Sequence, residues 1–496
     1  MQTTVSRRQR RAITAGLLLG MSLGALEATV VSTAMPTVIA TLGGLAHYSW
    51  VFAAYLLTST ASVPIWGRLS DLYGRRRLYL IGIFVFLAGS ALSGAATSMS
   101  QLILFRALQG LGAGAVIPLS MTIVGELYAL EERTRVQAWF SGVWGLASIG
   151  GPLVGGYLTD VLSWRWVFFV NLPFGALATL VIALAYPPIP RPAASRVDWT
   201  GAALLFGGVT SLLVALGDVS DAALSWTGGT VVLLLLFVLA ERRTSAPILP
   251  LDLFRDSVVS RTLIVVFLTG MAMFGAIAFV PLFVQSVMGG SATQAGQVLT
   301  PLFLGWVSMS IAGARLTVAV GYRPVAIAGN ALMTAAFVVL TATAAAPTQT
   351  ALVASVFVLG CGMGLSMLAL LLAVQHGVDR SLLGTVTSLN QFSRSIGAAV
   401  GVAAMGAILA RGLIGVPLAG GLQALASTTV QLDAAVRIQF AQALGRVFAA
   451  GGIMSAAGLA ASLALPHVDF TRGEAARRHS LAPEMSEVGP GSDTAA

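Results

Sequence analysis

Gly67-Arg68-Leu69-Ser70-Asp71-Leu72-Tyr73-Gly74-Arg75-Arg76-Arg77 lies between two long apolar runs, residues 48–67 and 78–97. Much later, Arg315-Leu316-Thr317-Val318-Ala319-Val320-Gly321-Tyr322-Arg323 separates the runs 296–316 and 324–345. Arginine, leucine, a hydroxyl residue, glycine and a closing arginine recur at equal spacing, with Val318 where the first copy has Asp71. A short basic turn repeated between apolar runs predicts a chain made of two similar halves, with any ligand site near the midplane between them.

The rest of the chain agrees. Of 496 residues, 56% are hydrophobic and 9% charged, and the mean hydropathy is +0.87. A soluble protein carries about 25% charged residues, so a soluble enzyme, a disordered chain and a disulfide scaffold are all excluded. The excess apolar surface must face lipid. A spanning helix needs about 20 apolar residues, and fourteen such runs are found. Six cover 13–40, 48–67, 78–97, 101–124, 136–158 and 165–187, two more 199–217 and 226–240. The last six cover 261–285, 296–316, 324–345, 350–373, 383–410 and 446–465. No small-residue cleavage site follows the first run, so it is read as a retained helix.

All 28 basic residues are arginines. With the N-terminus inside, 22 of them fall in inside segments and four, Arg165, Arg411, Arg437 and Arg446, outside. Positive charge accumulates on the cytoplasmic side, so both termini are expected there, and the basic balance needs no nucleic acid. The expected organisation is a cytoplasmic N-terminus at 1–12 and a six-helix bundle at 13–187. An inserted helix pair with linkers follows at 188–260, then a second bundle at 261–466 and a disordered cytoplasmic tail at 467–496. The stretch Leu422 to Phe440 mixes apolar and polar residues and is expected to lie as a helix at the membrane surface.

Several segments resemble the major facilitator superfamily, and within it the fourteen-span drug:proton antiporter branch. Gly67 to Arg77 is similar to the superfamily's cytoplasmic G-x-L-x-D-x-x-G-R-[RK] signature. Arg106-Ala107-Leu108-Gln109-Gly110 resembles its R-x-x-Q-G motif in helix 4, and Gly151-Pro152-Leu153-Val154-Gly155-Gly156 the end of the antiporter motif in helix 5. Leu26-Glu27-Ala28-Thr29-Val30-Val31 with Ala34-Met35-Pro36 resembles the branch's helix 1, and Trp164-Arg165-Trp166-Val167-Phe168 with Asn171-Leu172-Pro173 its entry to helix 6. Two residues depart from the pattern: Glu27 stands where aspartate is more common, and Ala147 where a glycine is expected.

The resemblance implies an all-α polytopic membrane protein of the major facilitator fold, two six-helix bundles plus two inserted helices. It also implies proton-coupled multidrug efflux across a bacterial cytoplasmic membrane, with antibiotic resistance as a consequence. The expected partners are a small-molecule substrate, protons and the lipid bilayer, in a monomer that needs no cofactor. A symporter, or an exporter of one specific metabolite, is the alternative on the same fold.

Physical chemistry assigns the candidates. Glu27 is the one acid deep within a span, about 18 Å in from Ala15 at the helical rise, and Arg106 lies at similar depth. Intramembrane charges cost at least about 2.5–3.5 kcal/mol and are usually functional, so Glu27 is expected to exchange the proton and Arg106 to tune it. Gly67, Asp71, Gly74, Arg75 and Arg76 are expected to latch one conformation, the glycines allowing a tight turn and close approach. Gly151, Pro152, Gly155 and Gly156 would pack and bend the antiport helix. Gln109, Trp144, Gln285, Asn390 and Arg394 are candidates for a substrate cavity. Arg394 has no acid in any span of its half, so carbonyls, amides, water or an anionic part of a substrate must satisfy it. Trp50, Tyr55, Trp139, Met271, Met273, Phe274, Phe279 and Trp306 are further apolar candidates, and Asn171, Asn330 and Gln391 polar ones.

Other chemistry finds no support. Cys361 is a lone packing cysteine, and His47, His376, His467 and His479 are scattered, with no metal-ligand spacing. Gly110 to Gly114 lacks the strand and lysine of a phosphate loop, and no nucleophile–base set points to an enzyme.

Overall fold

The structure, a computed structural model, describes residues 6–128, 130–187, 198–217, 222–244, 247, 251–376, 383–414 and 434–466. Some helical side chains, including those of Arg68 and Asp71, lie outside the description, as do the tail from 467 and most of the expected surface helix. The described residues form helices joined by short turns. In the first half these are α1 (Arg7–Leu42), α2 (Tyr48–Tyr73), α3 (Arg75–Ala95), α4 (Met99–Leu127), α5 (Leu130–Val161), and the pair α6 (Trp166–Phe169) and α7 (Asn171–Ala185), which make one span. Then come α8 (Trp199–Gly217) and α9 (Ala222–Glu241). The second half holds α10 (Ser257–Ser286), α11 (Ala292–Val320), α12 (Tyr322–Ala345), α13 (Gln349–His376), α14 (Leu383–Gly412) and α15 (Ala434–Leu463).

The halves repeat each other in their packing. In the first, α1 packs on α5 and α7, α4 on α2 and α3, and α3 on α7. In the second, α10 packs on α14 and α15, α13 on α11 and α12, and α12 on α15. The halves meet along two seams, α2 against α14 and α5 against α11, with α1 touching α10 between them. Helix α8 packs on both α2 and α14 and so covers the first seam. Its contact is apolar: Leu205, Val209 and Leu213 of α8 join Ala53 and Leu57 of α2 and Ala399, Val400 and Ala403 of α14.

Among the described residues eleven helices are long and apolar enough to cross a membrane, twelve with the bent α1. The two others of spanning length, α2 and α5, carry more polar sequence, and both are seam helices whose inner faces meet protein instead of lipid. The last helix corrects an expectation. It starts at Ala434, not 446, and takes in Ala434–Phe440, part of the stretch expected on the membrane surface. Val436, Phe440, Ala443, Leu444 and Val447 are all buried; that 3.6-residue stripe continues the core-facing side of the span, while Arg437 on the exposed side masked it in the sequence.

Close crossings rest on glycine. A methyl group at Gly89 of α3 would strike the backbone of Gln109, and one at Gly112 of α4 the backbone of Phe86. Among the described residues Gly67, by contrast, meets nothing within 4 Å, so the expected close approach is not seen there. We therefore expect Gly89→Leu to lose the folded, monodisperse species in detergent size-exclusion chromatography, while Gly67→Ala elutes like the parent protein.

Candidate functional site

Glu27 sits where α1 bends by 41° between Arg7–Glu27 and Thr29–Leu42. Downstream, Pro36 removes a helical hydrogen bond. The Thr29 and Ser32 hydroxyls donate back to carbonyls three or four residues earlier, a pattern that bends helices. The Glu27 side chain is sealed from solvent and forms an ion pair with Arg106 of α4, which is 2% exposed. Oε2 accepts from Gln109 Nε2 at 2.8 Å and from Asn171 Nδ2 at 2.9 Å. Ser90 of α3 holds both amides, at 3.2 and 3.1 Å, while donating to the Phe168 carbonyl at 2.8 Å. Arg106 also donates to Gln109 Oε1 at 2.8 Å and the Val51 carbonyl at 3.2 Å, and its guanidinium lies 4.3 Å from the Tyr55 ring centre.

This network joins α1, α3, α4 and α7, so the carboxylate is the hub of the first half. Hydrogen bonds to a charged group are worth about 1.5–3 kcal/mol each, and three side chains donate here. Together they outweigh the ~2.5–3.5 kcal/mol insertion cost of a mid-membrane charge. Sequence reasoning paired Glu27 with Arg106. It treated Asn171 as a substrate contact and did not single out Ser90; the i, i+3 step from Arg106 to Gln109 was the available signal that Gln109 joins them.

The repeated basic turn proves structural in both copies. Gly74 and Gly321 adopt φ of 89° and 86°, the left-handed region that favours glycine. Arg76 then donates to the Ala183 carbonyl at the end of α7, and its counterpart Arg323 to the Leu463 carbonyl at the end of α15, 2.8 Å. Each arginine caps the sixth span of its own half, where a cation meets unpaired carbonyls. Asp71, absent from the second copy, is not explained by this shared role.

The Gly151-to-Gly156 segment of α5 divides its glycines between two neighbours. Gly151 and Gly155 face α1, where a methyl at Gly155 would come within 2.6 Å of the Val30 carbonyl oxygen. Gly156 faces α11, where a methyl would come within 2.5 Å of the Ala292 carbonyl oxygen, and the Pro152 carbonyl abuts Gly296. Ala147 is accommodated without a glycine, its carbonyl accepting from Thr29 Oγ1 at 3.3 Å.

These crossings cluster at the arginine-poor end of the bundle. There Asp160 of α5 accepts from the backbone N–H of Thr293 at 2.8 Å and of Ala292 at 3.2 Å. Ser291 supplies the next donor, Gln294 N–H, with its cap at 3.2 Å, so the start of α11 is completed by a carboxylate from the other half. Gln285 donates to the Thr33 carbonyl at 2.9 Å, Tyr48 to the Ala278 carbonyl, and Ser49 packs on Gly406. Toward the arginine-rich end the α5 glycines lose close neighbours among the described residues: Gly145 only reaches Val307 of α11 at 3.9 Å, and Gly142 meets nothing within 4 Å. The two halves form a wedge, closed at one end. Asp160 escaped sequence reasoning because nothing near it in sequence reveals a helix start 132 residues away.

The remaining candidates do not converge on one pocket. Gln109 belongs to the Glu27 network and Gln285 to the closed end. Met273 and Phe279 are core residues, and Trp144 packs half-buried in the first half. Asn330 bonds Thr269, Ser366 and Ser462 in a buried cluster of the second half. Asn390 and Arg394 lie one turn apart on α14. No group of residues suited to a metal ion occurs among the described residues.

Losing a helix N-cap costs about 0.5–2 kcal/mol. Asp160→Ala should therefore raise the opening of the arginine-poor end by roughly 2- to 30-fold. Alkylation of a cysteine at the buried Ser286 position by a membrane-impermeant maleimide, with Cys361 replaced by alanine, would measure it.

Comparison with known proteins agrees with the fold. The family model for the Major Facilitator Superfamily matches residues 17–402. Multidrug transporter protein MdtP of Bacillus subtilis is 39% identical over 408 residues, 81% of this chain and 75% of that protein. Multidrug resistance protein 3 of the same organism is 34% identical, over 82% of this chain and 81% of that one. Among solved structures, an inward-facing, unoccupied bacterial homologue of the lysosomal transporter Spinster superposes with a TM-score of 0.69 at 16% identity, covering 93% of this chain and 97% of that one. D-xylose-proton symporter gives 0.63 at 14% identity, over 92% and 97%. A repeated six-span packing, a family match over most of its length and transporter relatives lead to one statement: this chain belongs to the major facilitator superfamily of membrane transporters.

Proposed function

We propose that the protein is a proton-coupled multidrug exporter of the bacterial cytoplasmic membrane, with its arginine-rich end and both termini in the cytoplasm. Multidrug relatives at 34–39% identity support efflux, and the asymmetry of arginine placement supports the orientation. In that orientation the wedge is open to the cytoplasm, ready to receive a lipophilic or monocationic compound.

The observation that carries proton coupling is the composition of the Glu27 site. Every polar neighbour within hydrogen-bond reach of the carboxylate donates to it: Arg106, Gln109 and Asn171. A protonated Glu27 offers a hydrogen where these donors need an acceptor, so proton uptake leaves buried donors unmatched. That penalty falls on this packing of α1, α4 and α7 and favours another. A ligand shifts a conformational equilibrium only by its differential affinity for the two states; here the proton is that ligand. Because Glu27 sits at the bend of α1, the helix that packs on α5 and touches α10, its change of charge acts on the helix between both seams. Proton entry then supplies ~2.3 kcal/mol per charge per 100 mV.

Glu27→Gln keeps an acceptor for Arg106 but fixes the charge. It should abolish dye efflux driven by a pH gradient in proteoliposomes while leaving substrate binding and protein yield close to the parent. Efflux at the parent rate would overturn the assignment. Asp71→Asn is expected to slow turnover without weakening binding, read as a fall in maximal rate at constant affinity.

A further inference from the structure

Arg394 is the second intramembrane cation, about 17 Å along α14 from Leu383 at the helical rise. Its surroundings differ from those of Arg106. No carboxylate lies within ion-pair distance of it among the described residues. The partners of its guanidinium are the amide oxygen of Gln391, on its own helix, and the Met367 sulfur at 3.9 Å. Neither is an acceptor of matching charge. One turn earlier, Asn390 is only 6% exposed, and its buried Nδ2 has no hydrogen-bond partner among the described residues.

The direction of this donor-rich turn follows from the helix. Phe392 and Ile396 pack in the apolar cluster shared with α2 and α8. At about 100° per residue, Arg394 lies some 200° round from each, on the opposite side, and Asn390 is within about 40° of Arg394. Arg394 reaches Met367 of α13, and nearer the arginine-rich end Gln375 of α13 donates to Thr387 of α14 at 2.9 Å. The side chain therefore points toward α13, beside the contact that Ser393 and the Arg394 backbone make with α10, and not to lipid. A cation at this depth is costly without acceptors, and an unsatisfied buried amide adds to that cost.

We propose that Asn390 and Arg394 form a binding site for the carboxylate of an amphiphilic substrate, so that the exporter accepts lipophilic acids and zwitterions besides neutral and monocationic compounds. A carboxylate matches the guanidinium fork with two parallel bonds and leaves a lone pair for the Asn390 amide. The proposal rests on the transporter reading above and names a substrate group for its second half. The ionised Glu27 is paired by its own arginine in the first half, so it does not compete for Arg394.

The test uses the full chain in nanodiscs and three fluorescence-detected ligands: pyrenebutyrate, its neutral primary amide, and tetraphenylphosphonium as competitor. The parent protein should bind the carboxylate at least about tenfold tighter than the amide. Arg394→Gln should erase that preference while changing amide and tetraphenylphosphonium affinity less than twofold. Arg394→Lys should retain part of the preference, and Asn390→Leu should weaken carboxylate binding alone. Equal binding of acid and amide by the parent protein, or a preference that survives Arg394→Gln, overturns the carboxylate site. If tetraphenylphosphonium still binds in that case, the multidrug reading stands without it. If none of the three ligands binds, both fail together.

Discussion

A carboxylate can stay ionised inside an apolar bundle only while enough donors face it. In this protein that constraint organises the whole first half. Glu27 draws Arg106 and Gln109 from α4 and Asn171 from α7, with Ser90 of α3 holding the two amides in place. Four helices are thereby fixed in register at one depth. The glycine crossings, Gly89 on Gln109 and Gly112 on Phe86, bring α3 close enough to α4 for this to occur. Among the described residues the second half has no intramembrane carboxylate; its hydrogen-bonded hub is Asn330, with Thr269, Ser366 and Ser462. A neutral hub has no proton to exchange, so the two halves share a packing plan but not a chemistry.

The contacts between the halves are of a different kind. Several polar bridges between them end on backbone: Asp160 on the start of α11, Gln285 on Thr33, Tyr48 on Ala278. These bridges lie within an apolar core that both halves share, where Val30, Val31, Met35 and Val38 of α1 cluster with Phe279 and Phe283 of α10 and Val298 and Leu299 of α11. The inserted pair breaks the symmetry. Helix α8 covers the α2–α14 seam with leucine and valine, whereas α5 and α11 meet without such a cover.

Much of this was legible in the sequence, and the reasons differ from residue to residue. Fourteen apolar runs and the repeated Arg-Leu-x-x-x-x-Gly turn carried the fold, because lipid forces spans to be long and apolar and a duplicated bundle keeps its turns. Glu27 and Arg106 were legible because charge in a span is rare enough to demand a partner. The start of α15 was not, since an exposed Arg437 interrupts a stripe that burial reveals as continuous. Nor was the role of Asn171, whose amide answers a carboxylate 144 positions away, or of Asp160, whose partner is a backbone helix start with no sequence mark. Gly67 went the other way: the sequence implied contact, and among the described residues it has none within 4 Å.

On the reading proposed above, the charge on Glu27 decides which end of the wedge is closed. The most direct test is the distance between spin labels on the arginine-poor ends of α5 and α11, measured by pulsed electron resonance across a pH series without substrate. A short distance at high pH and a growing long-distance population as pH falls are expected in the parent protein, with no such pH response in the Glu27→Gln protein. A distance distribution in the parent protein that does not change with pH, or one that titrates identically in the glutamine variant, would contradict it.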